Sequence, residues 1–131
     1  MRTVKAIIER AKDGCYSIYM DCKDYKFGLY GYGNTVEEAI NDFYDCYNDI
    51  KDINICEVPE LKFEFNYDTA SFLQYFGKKL SLTGLQTITG INRKQLNHYV
   101  TGHSKPSART VKRIQDGLNK FQKELSLVKL I

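Results

Sequence analysis

The strongest constraint on the fold is a set of helix start and stop residues between positions 69 and 119. Ser81 can cap the start of one helix, and Gly90-Ile91-Asn92 ends that helix with a tight turn. Glycine adopts the left-handed backbone conformation that such a turn needs, and Asn92 can cap a further helix over residues 93–101. The spacing therefore predicts two short helices joined by a three-residue turn, with other helices on either side.

The wider pattern divides the chain into two domains. A change in composition at Asn66-Tyr67-Asp68 predicts a boundary, and Asp68 can cap a helix that follows it. Residues 67–131 are predicted to form an all-α domain of four to five helices. Residues 1–66 are predicted to form a separate α+β domain.

The predicted helix over residues 93–101 has an apolar side, with Leu96, Tyr99 and Val100, and a polar side. Arginine and lysine donate hydrogen bonds to guanine edges, and asparagine and glutamine bond adenine, so this polar side suits a DNA major groove. The predicted DNA-binding residues are Ser81, Thr83, Asn92, Arg93, Lys94, Gln95, Asn97, His98, Lys105 and Arg109.

Charge is divided unevenly along the chain. Residues 1–60 carry seven Lys and Arg against twelve Asp and Glu, a net charge of −5, while residues 61–131 carry twelve against four, a net charge of +8. A basic domain releases counterions when it binds nucleic acid, whereas an acidic domain is repelled by phosphate and suits a basic protein. The division predicts two different partners; the alternative is two solvated surfaces of unequal charge.

The acidic half has the pattern of a small sheet. Residues 3–10 and 15–22 are rich in strand-forming residues and flank Asp13-Gly14, which predicts a β-hairpin. A third strand is predicted over residues 27–33. A fourth is predicted from the alternation of Leu61, Phe63 and Phe65 with polar residues, a pattern typical of a strand with one buried face.

Between the third and fourth strands, Thr35-Val36-Glu37-Glu38 has the form of a capping box and predicts a helix over residues 35–52. The order is therefore β-β-β-α-β. The outer face of this helix carries an acidic stripe, which we interpret as a surface for a cationic partner or as a solvated face. The stripe includes Glu38, Asp42, Asp45 and Asp49.

Eight of the ten tyrosines precede residue 69. Aromatic strands can serve as platforms for nucleic-acid bases. Tyrosine is also a good strand former, and the local charge is negative, so we expect these tyrosines to pack within the fold.

The C-terminal residues 121–131 are apolar for the end of a soluble chain, which favours a seam between two copies. The alternative is a last helix that completes the domain core. Gly84 and Gly117 fall inside predicted helices, at a cost of about 1 kcal/mol each relative to alanine. A domain weakened in this way is expected to depend on a homodimer or a higher even oligomer.

Cofactors, metals and membranes are not expected. The cysteines lack CxxC spacing and lie far in sequence from His98 and His103, so we expect reduced thiols rather than a metal site. No apolar run is long enough to span a membrane, and the N-terminus lacks the pattern of a secretory signal, which predicts a cytoplasmic protein. The four cysteines are Cys15, Cys22, Cys46 and Cys56.

The segment GYGNTVEEAIND, residues 31–42, beside a hairpin that carries IIER and DGCYSIYM, resembles the HicB antitoxins of bacterial toxin–antitoxin pairs. The resemblance spans about residues 1–66. It implies a truncated ribonuclease-H-like domain that binds a small RNA-cleaving HicA toxin and catalyses no reaction. Residues 21–28 differ from the proline-containing loop common in that family, so that loop's toxin contacts do not carry over. The acidic stripe is the candidate toxin surface.

Residues 80–118 resemble the Cro/lambda-repressor class of helix-turn-helix DNA-binding domains. The resemblance rests on Leu80-Ser81, the turn at residues 90–92, Gly102, Pro106-Ser107 and a set of apolar positions between them. One position departs from the class: Leu82 stands where members often have a glutamine that supports phosphate and base contacts.

Together these features predict an antitoxin that neutralises a HicA-like toxin by direct binding and represses its own operon by binding operator DNA. The alternative is a stand-alone repressor whose N-terminal domain senses a ligand or drives oligomerisation. A ribonuclease-H-like nuclease is disfavoured because Asp13, Asp21 and Asp24 are predicted in or beside turns rather than clustered on adjacent strands to hold metal ions. We therefore expect no enzymatic activity.

Overall fold

The structure is a computed structural model that describes residues 1–53 and 57–131, so the prediction of a reduced thiol at Cys56 lies outside the described residues. The chain divides into two compact units, Met1–Asp68 and Thr69–Ile131. Four strands in one sheet and five helices form within the described residues. The predicted α+β class is confirmed.

The sheet of the first unit consists of β1 (Arg2–Arg10), β2 (Tyr16–Asp21), β3 (Tyr30–Gly33) and β4 (Leu61–Tyr67). Its spatial order is β3-β2-β1-β4. β1 and β2 pair antiparallel, which confirms the predicted hairpin, and β3 pairs antiparallel with β2, three residues shorter at its start than predicted. β4 runs parallel to β1 and pairs Tyr67 with Ile8, so the first unit extends beyond the predicted boundary at residue 66.

One helix, α1 (Val36–Ile53), covers one face of this sheet. The Glu38 N–H donates to the Thr35 hydroxyl at 3.1 Å, and the Glu38 carboxylate accepts from the Asn34 N–H at 2.8 Å. The predicted helix start is confirmed, with the glutamate reaching one residue further back than in the standard capping box. The buried residues of α1 are Val36, Ala39, Phe43 and Tyr47.

β3 allows α1 to approach closely because it carries glycine at the two positions that face the helix. A Cβ atom at Gly31 would lie 2.3 Å from the Ala39 carbonyl oxygen, and one at Gly33 would lie 2.6 Å from the Glu38 Cβ. Any larger residue at either position would displace the helix from the sheet.

The prediction that the tyrosines pack within the fold holds for Tyr16 and Tyr47, which are buried, and is wrong for four others, of which Tyr44 on α1 is 39% exposed. Tyr19, Tyr30 and Tyr32 are 38%, 53% and 46% exposed. On the sheet the reason is the alternation of a strand. Gly31 and Gly33 face α1, so Tyr30 and Tyr32 face away from it, as does Tyr19 between the buried Ile18 and Met20 of β2.

The second unit contains α2 (Thr69–Leu80), α3 (Leu82–Thr89), α4 (Arg93–Thr101) and α5 (Ala108–Ser126). The bounds of α4 agree with the prediction. Every helix of the unit contributes to one apolar core, together with the residue between Gly90 and Asn92. The buried residues of this core are Leu73, Leu85, Ile91, Leu96, Tyr99 and Ile114.

The end of the chain does not complete this core. α5 ends at Ser126, and no regular secondary structure follows. Leu125, Leu127, Val128 and Leu130 are 57%, 82%, 56% and 92% exposed. The expectation of a last helix that finishes the core is therefore wrong for these residues, because their side chains face solvent.

Gly117 lies inside α5 for a packing reason that the sequence does not reveal. A Cβ atom at this position would lie 2.5 Å from the carbonyl oxygen of Ile88 and 3.0 Å from the Thr89 Cα. The end of α3 therefore rests directly on the backbone of α5, and a side chain would separate the two helices.

We expect Gly117→Ala to lower the free energy of unfolding by about 1–3 kcal/mol, because the overpacking against Ile88 outweighs the gain in helix propensity. Gly77→Ala is the matched control, since its Cβ would meet only Leu82 Cδ2 at 3.6 Å, an ordinary contact. We expect Gly77→Ala to raise stability by up to about 1 kcal/mol. Urea denaturation checks both values, and a stabilising Gly117→Ala would contradict the packing described here.

Candidate nucleic-acid interface

The connection between α3 and α4 is fixed at both ends by hydrogen bonds. Gly90 has φ +73°, and its N–H donates to the Gln86 carbonyl at 2.8 Å, which closes α3. The Asn92 side-chain oxygen accepts from the Lys94 N–H at 2.8 Å and so caps α4. Both features confirm the predicted turn.

A further hydrogen bond ties the first residue of α4 to α3. The Arg93 N–H is one of the donors that a helix start leaves unpaired, and it donates to the Gln86 side-chain oxygen at 2.7 Å. The direction in which α4 leaves α3 is therefore set by a side chain of α3. Sequence reasoning missed Gln86, whose only signal is its position four residues before the turn glycine.

The start of α3 and the first turns of α4 line one open groove of about 640 Å³. Five of its six lining residues belong to the predicted DNA-binding set, and the sixth is Leu82. The lining residues are Ser81, Leu82, Thr83, Arg93, Lys94 and Asn97.

Ser81 stands at the edge of this groove with an unusual backbone. Its hydroxyl accepts from the Gly84 N–H at 2.9 Å, which confirms its predicted capping role. Its φ of +61° lies in the region that favours glycine, and among the described residues no other non-glycine residue has a positive φ. Strain of this kind persists only where surrounding structure enforces it.

The polar groups of the groove remain largely available to a ligand. One guanidinium nitrogen of Arg93 donates to the Thr83 hydroxyl at 3.3 Å, which leaves its other donors unused by this bond. Within residues 1–53 and 57–131, no hydrogen bond or ion pair engages the Lys94 ammonium or the Asn97 side-chain amide. Cationic and amide donors in an open groove can bind phosphate and base edges.

Two other predicted residues of α4 lie outside this groove and contact the loop that follows the helix. The Gln95 amide nitrogen donates to the Ser104 hydroxyl at 3.3 Å, in a partly buried position. The rings of His98 and His103 lie 4.6 Å apart between centroids. These two side chains therefore contact Ser104 and His103 of the loop after α4.

The remaining two predicted residues, Lys105 and Arg109, are exposed in the loop before α5 and in its first turn. Arg109 lines a second open groove, of about 500 Å³, with Lys112 and Arg113. Arg113 also donates to the Gly90 carbonyl at 2.8 Å, so a cation of α5 sits against the α3–α4 turn. The sequence places Arg113 among the basic residues and does not reveal this contact.

The electrostatic setting favours a polyanion. The unit Thr69–Ile131 holds eleven Lys and Arg against two Asp and Glu, a net charge of +9. Asp116, one of the two acids, pairs with Lys112 at 3.1 Å. The groove at α3 and α4 is lined by two cations and no acid, so its field attracts phosphate.

The acidic stripe on α1 divides into two parts. The Glu38 carboxylate accepts from the Asn34 N–H, and the Asp42 carboxylate accepts from the Tyr32 N–H at 2.9 Å. Both carboxylates therefore satisfy backbone donors near the end of β3. Asp45 and Asp49 are exposed, and no bond in the described part of the chain engages their carboxylates.

Two of the three acids considered for nuclease chemistry are engaged separately, and the third, Asp21, is the last residue of β2. Asp13 accepts from the Cys15 N–H at 2.9 Å, and Asp24 pairs with Arg2. Among the described residues, no three His, Cys, Asp or Glu side chains lie close enough together to hold a metal ion. Within the same residues, no helix has the length and apolar character needed to cross a membrane.

No protein-family model, curated protein or solved structure matches this chain.

The capping role of Asn92 yields a prediction. We expect Asn92→Ala to lower the free energy of unfolding by about 1 kcal/mol, because the Lys94 N–H loses its acceptor. Asn92→Ser is the matched control and should retain most of the stability, since a serine oxygen caps equally well. Chemical denaturation measures both changes, and equal losses would show that the cap is not what Asn92 contributes.

Proposed function

We propose that α3 and α4 form a helix-turn-helix that binds duplex DNA, with α4 as the recognition helix in the major groove. The observation that carries the proposal is the groove at the starts of α3 and α4, where Arg93, Lys94 and Asn97 come together. Arginine and lysine donate to guanine edges and phosphate, and asparagine bonds adenine. In this arrangement the N-terminal turns of α4 meet the bases.

The other basic residues have a supporting role in this proposal. Lys105 and Arg109 bind the phosphate backbone and orient the domain, as contacts outside the recognition helix commonly do. Leu82 supplies an apolar contact in the groove where related domains often carry glutamine. Gln95 and His98 position the loop after α4 rather than read bases, because their side chains face Ser104 and His103.

For the first unit, we propose the role of a HicB-like antitoxin domain. The element order β-β-β-α-β and the sheet order β3-β2-β1-β4 support a truncated ribonuclease-H-like domain. Met1–Asp68 carries eight Lys and Arg against fourteen Asp and Glu, and this net charge of −6 supports binding to a basic toxin. Such a chain neutralises an RNA-cleaving HicA-like toxin by direct binding and represses its own operon. No catalytic step is part of this role.

The DNA-binding proposal is tested by a gel shift with the duplex that lies immediately upstream of the protein's own gene. We expect Arg93→Ala with Lys94→Ala to abolish retention at moderate salt. Any binding that remains at low salt should show a slope of log affinity against log salt that is smaller by about 1.8, as expected for two lost phosphate-neutralising charges. Toxin neutralisation should remain intact, because both changes lie outside the first unit.

Lys78→Ala with Lys79→Ala is the charge-matched control, because both lysines are exposed at the end of α2 and neither lines the groove. This variant should retain the duplex with a small loss of affinity. Retention of the duplex by the Arg93 and Lys94 variant at moderate salt would exclude α4 as the recognition helix.

We further propose that two copies associate through the exposed apolar end of the chain, so that paired recognition helices read a two-fold symmetric operator. Leu125 and Val128 lie one turn apart and are both more than half exposed. An apolar segment of this kind on a basic domain is better explained by a partner surface than by solvent.

We expect light scattering to show a dimer of the unaltered chain and a monomer after Leu125→Asp with Val128→Asp. Asn119→Asp with Gln122→Asp adds the same two charges at exposed polar positions of α5 and should leave the dimer intact. A monomeric unaltered chain at micromolar concentration, or equal dissociation of both variants, would contradict the seam.

A further inference from the structure

The sheet of the first unit has one face without a helix. On the covered face, Val4, Ala6 and Ile8 of β1 lie buried beneath α1. The residues that alternate with them point to the opposite face, where Ile7 is half-buried and Tyr19 and Tyr30 are exposed. Within the described part of the unit, no second helix covers this open face.

The register of the strands arranges these side chains in a row. Tyr30 pairs with Tyr19 between β3 and β2, Tyr19 pairs with Ile7 between β2 and β1, and Ile7 pairs with Asn66 between β1 and β4. Directly opposed residues on one face lie in side-chain contact range. The open face therefore carries Tyr30, Tyr19 and Ile7 side by side across its middle, with the polar Asn66 at the end, and we call this set the tyrosine row.

Carboxylates lie on the side of the tyrosine row that is nearer the β1–β2 turn. Glu9 lies two positions from Ile7 along β1, and its carboxylate accepts from the Tyr19 hydroxyl at 3.3 Å. The hydroxyl of Tyr32, the next outward residue of β3 after Tyr30, lies 3.4 Å from an Asp13 carboxylate oxygen.

Carboxylates flank the row on its other side as well. Lys5 lies between Asp21 and Glu64 in the register, so two acids flank one base there.

The negative charge of this surface contributes to the raised pKa values of two phenol groups. Partial burial and the negative charges of Glu9, Asp21 and Asp68 raise the pKa of Tyr19. Hydrogen bonding to Cys15, partial burial and the charge of Asp13 raise the pKa of Tyr32 to about 12. Tyrosine phenols are neutral at physiological pH even without these shifts, so the raised pKa values reflect, in part, the negative charge beside the two rings.

We propose that the tyrosine row, with its flanking carboxylates, is the surface that binds a cationic protein partner, which under the proposed function is the toxin. Arginine or lysine side chains of that partner lie over the exposed tyrosine rings and pair with Glu9 and Asp21. Tyrosine is enriched in the centres of protein interfaces, where a ring of charge sets the choice of partner.

Two comparisons favour this surface and this partner. On the α1 stripe, Glu38 and Asp42 already accept backbone hydrogen bonds, and the exposed ring of Tyr44 packs edge-on against Phe63 and Phe65. Among the described residues, the stripe therefore combines two unengaged carboxylates, Asp45 and Asp49, with an aromatic ring that is already packed, whereas the sheet presents exposed tyrosine rings beside its carboxylates. A nucleic acid would also stack on tyrosines, but its phosphates would be repelled by the flanking carboxylates.

The first test uses the full chain and a synthetic peptide of alternating arginine and leucine, observed by nuclear magnetic resonance with labelled tyrosine rings and backbone amides. We expect the ring signals of Tyr19 and Tyr30 to shift, with smaller changes at Asp45 and Asp49 on α1. A single-stranded RNA oligonucleotide should leave the two tyrosine rings unchanged. Shifts confined to α1, or tyrosine shifts with the RNA, would overturn the proposal.

Paired variants test the charges. Glu9→Gln with Asp21→Asn should weaken peptide binding about tenfold, the effect of losing two exposed ion pairs of moderate strength. Asp45→Asn with Asp49→Asn removes the same charge from the α1 stripe and should change the affinity less than about twofold. Circular dichroism checks that both variants remain folded, and equal losses from the two pairs would reject the sheet surface.

The identity of the natural partner rests on the proposed antitoxin function. The same variants test the binding surface and the antitoxin function separately. The second probe is the product of the small basic reading frame beside this gene, tested by co-purification with the unaltered chain. If the product does not co-purify but the peptide still binds at Tyr19 and Tyr30, the antitoxin role is rejected and the tyrosine row remains supported as a surface for cationic partners. If the Glu9 and Asp21 variant co-purifies as well as the unaltered chain, the antitoxin role is supported and the tyrosine row is rejected as the toxin-binding surface.

Discussion

The connection between α3 and α4 is the constraint on which the basic unit depends. Gly90 turns the chain in the left-handed conformation, Asn92 caps α4, and Gln86 of α3 accepts from the Arg93 N–H. These bonds determine where the first turns of α4 lie relative to the start of α3. They also place Ile91, between the two caps, in the apolar core. The groove of cations and amides is a consequence of this short connection, because it is built from the two helix starts.

The acidic unit depends on a different constraint, the absence of side chains at Gly31 and Gly33. Because these residues have no Cβ, α1 rests on the backbone of β3, and two of its carboxylates reach the free N–H groups of Tyr32 and Asn34. The same alternation turns the tyrosines of β3 outward. Close packing on one face of the strand and an aromatic surface on the other therefore have one cause, a repeat of tyrosine and glycine along four residues.

Local chemistry made much of this fold predictable from sequence. The caps at Ser81 and Asn92, the glycine turn and the Thr35 start of α1 are encoded within a few residues of where they act, and each was predicted. Contacts between residues distant in sequence were not predictable in this way. The close packing of Ile88 against Gly117 and the hydrogen bond from Arg113 to Gly90 cannot be recognised from periodicity or composition.

At the candidate site, too, local features were predictable from sequence and contacts between separate segments were not. The sequence identified the polar side of α4, and five of its ten predicted residues line one groove, but it did not separate Gln95 and His98, which face the following loop. It also predicted packing for tyrosines that are exposed, because strand propensity does not reveal which side of a sheet is covered.

The proposed function depends on the binding of duplex DNA in the groove at the starts of α3 and α4. The most direct measurement is a titration of the isotope-labelled full chain with the duplex upstream of its own gene, followed at each backbone amide and at the Asn97 side-chain amide. We expect the largest changes at Thr83, Arg93, Lys94 and Asn97, and we expect them to diminish as salt is raised. Changes confined to other parts of the chain, or no change at low salt, would contradict the binding of DNA in this groove.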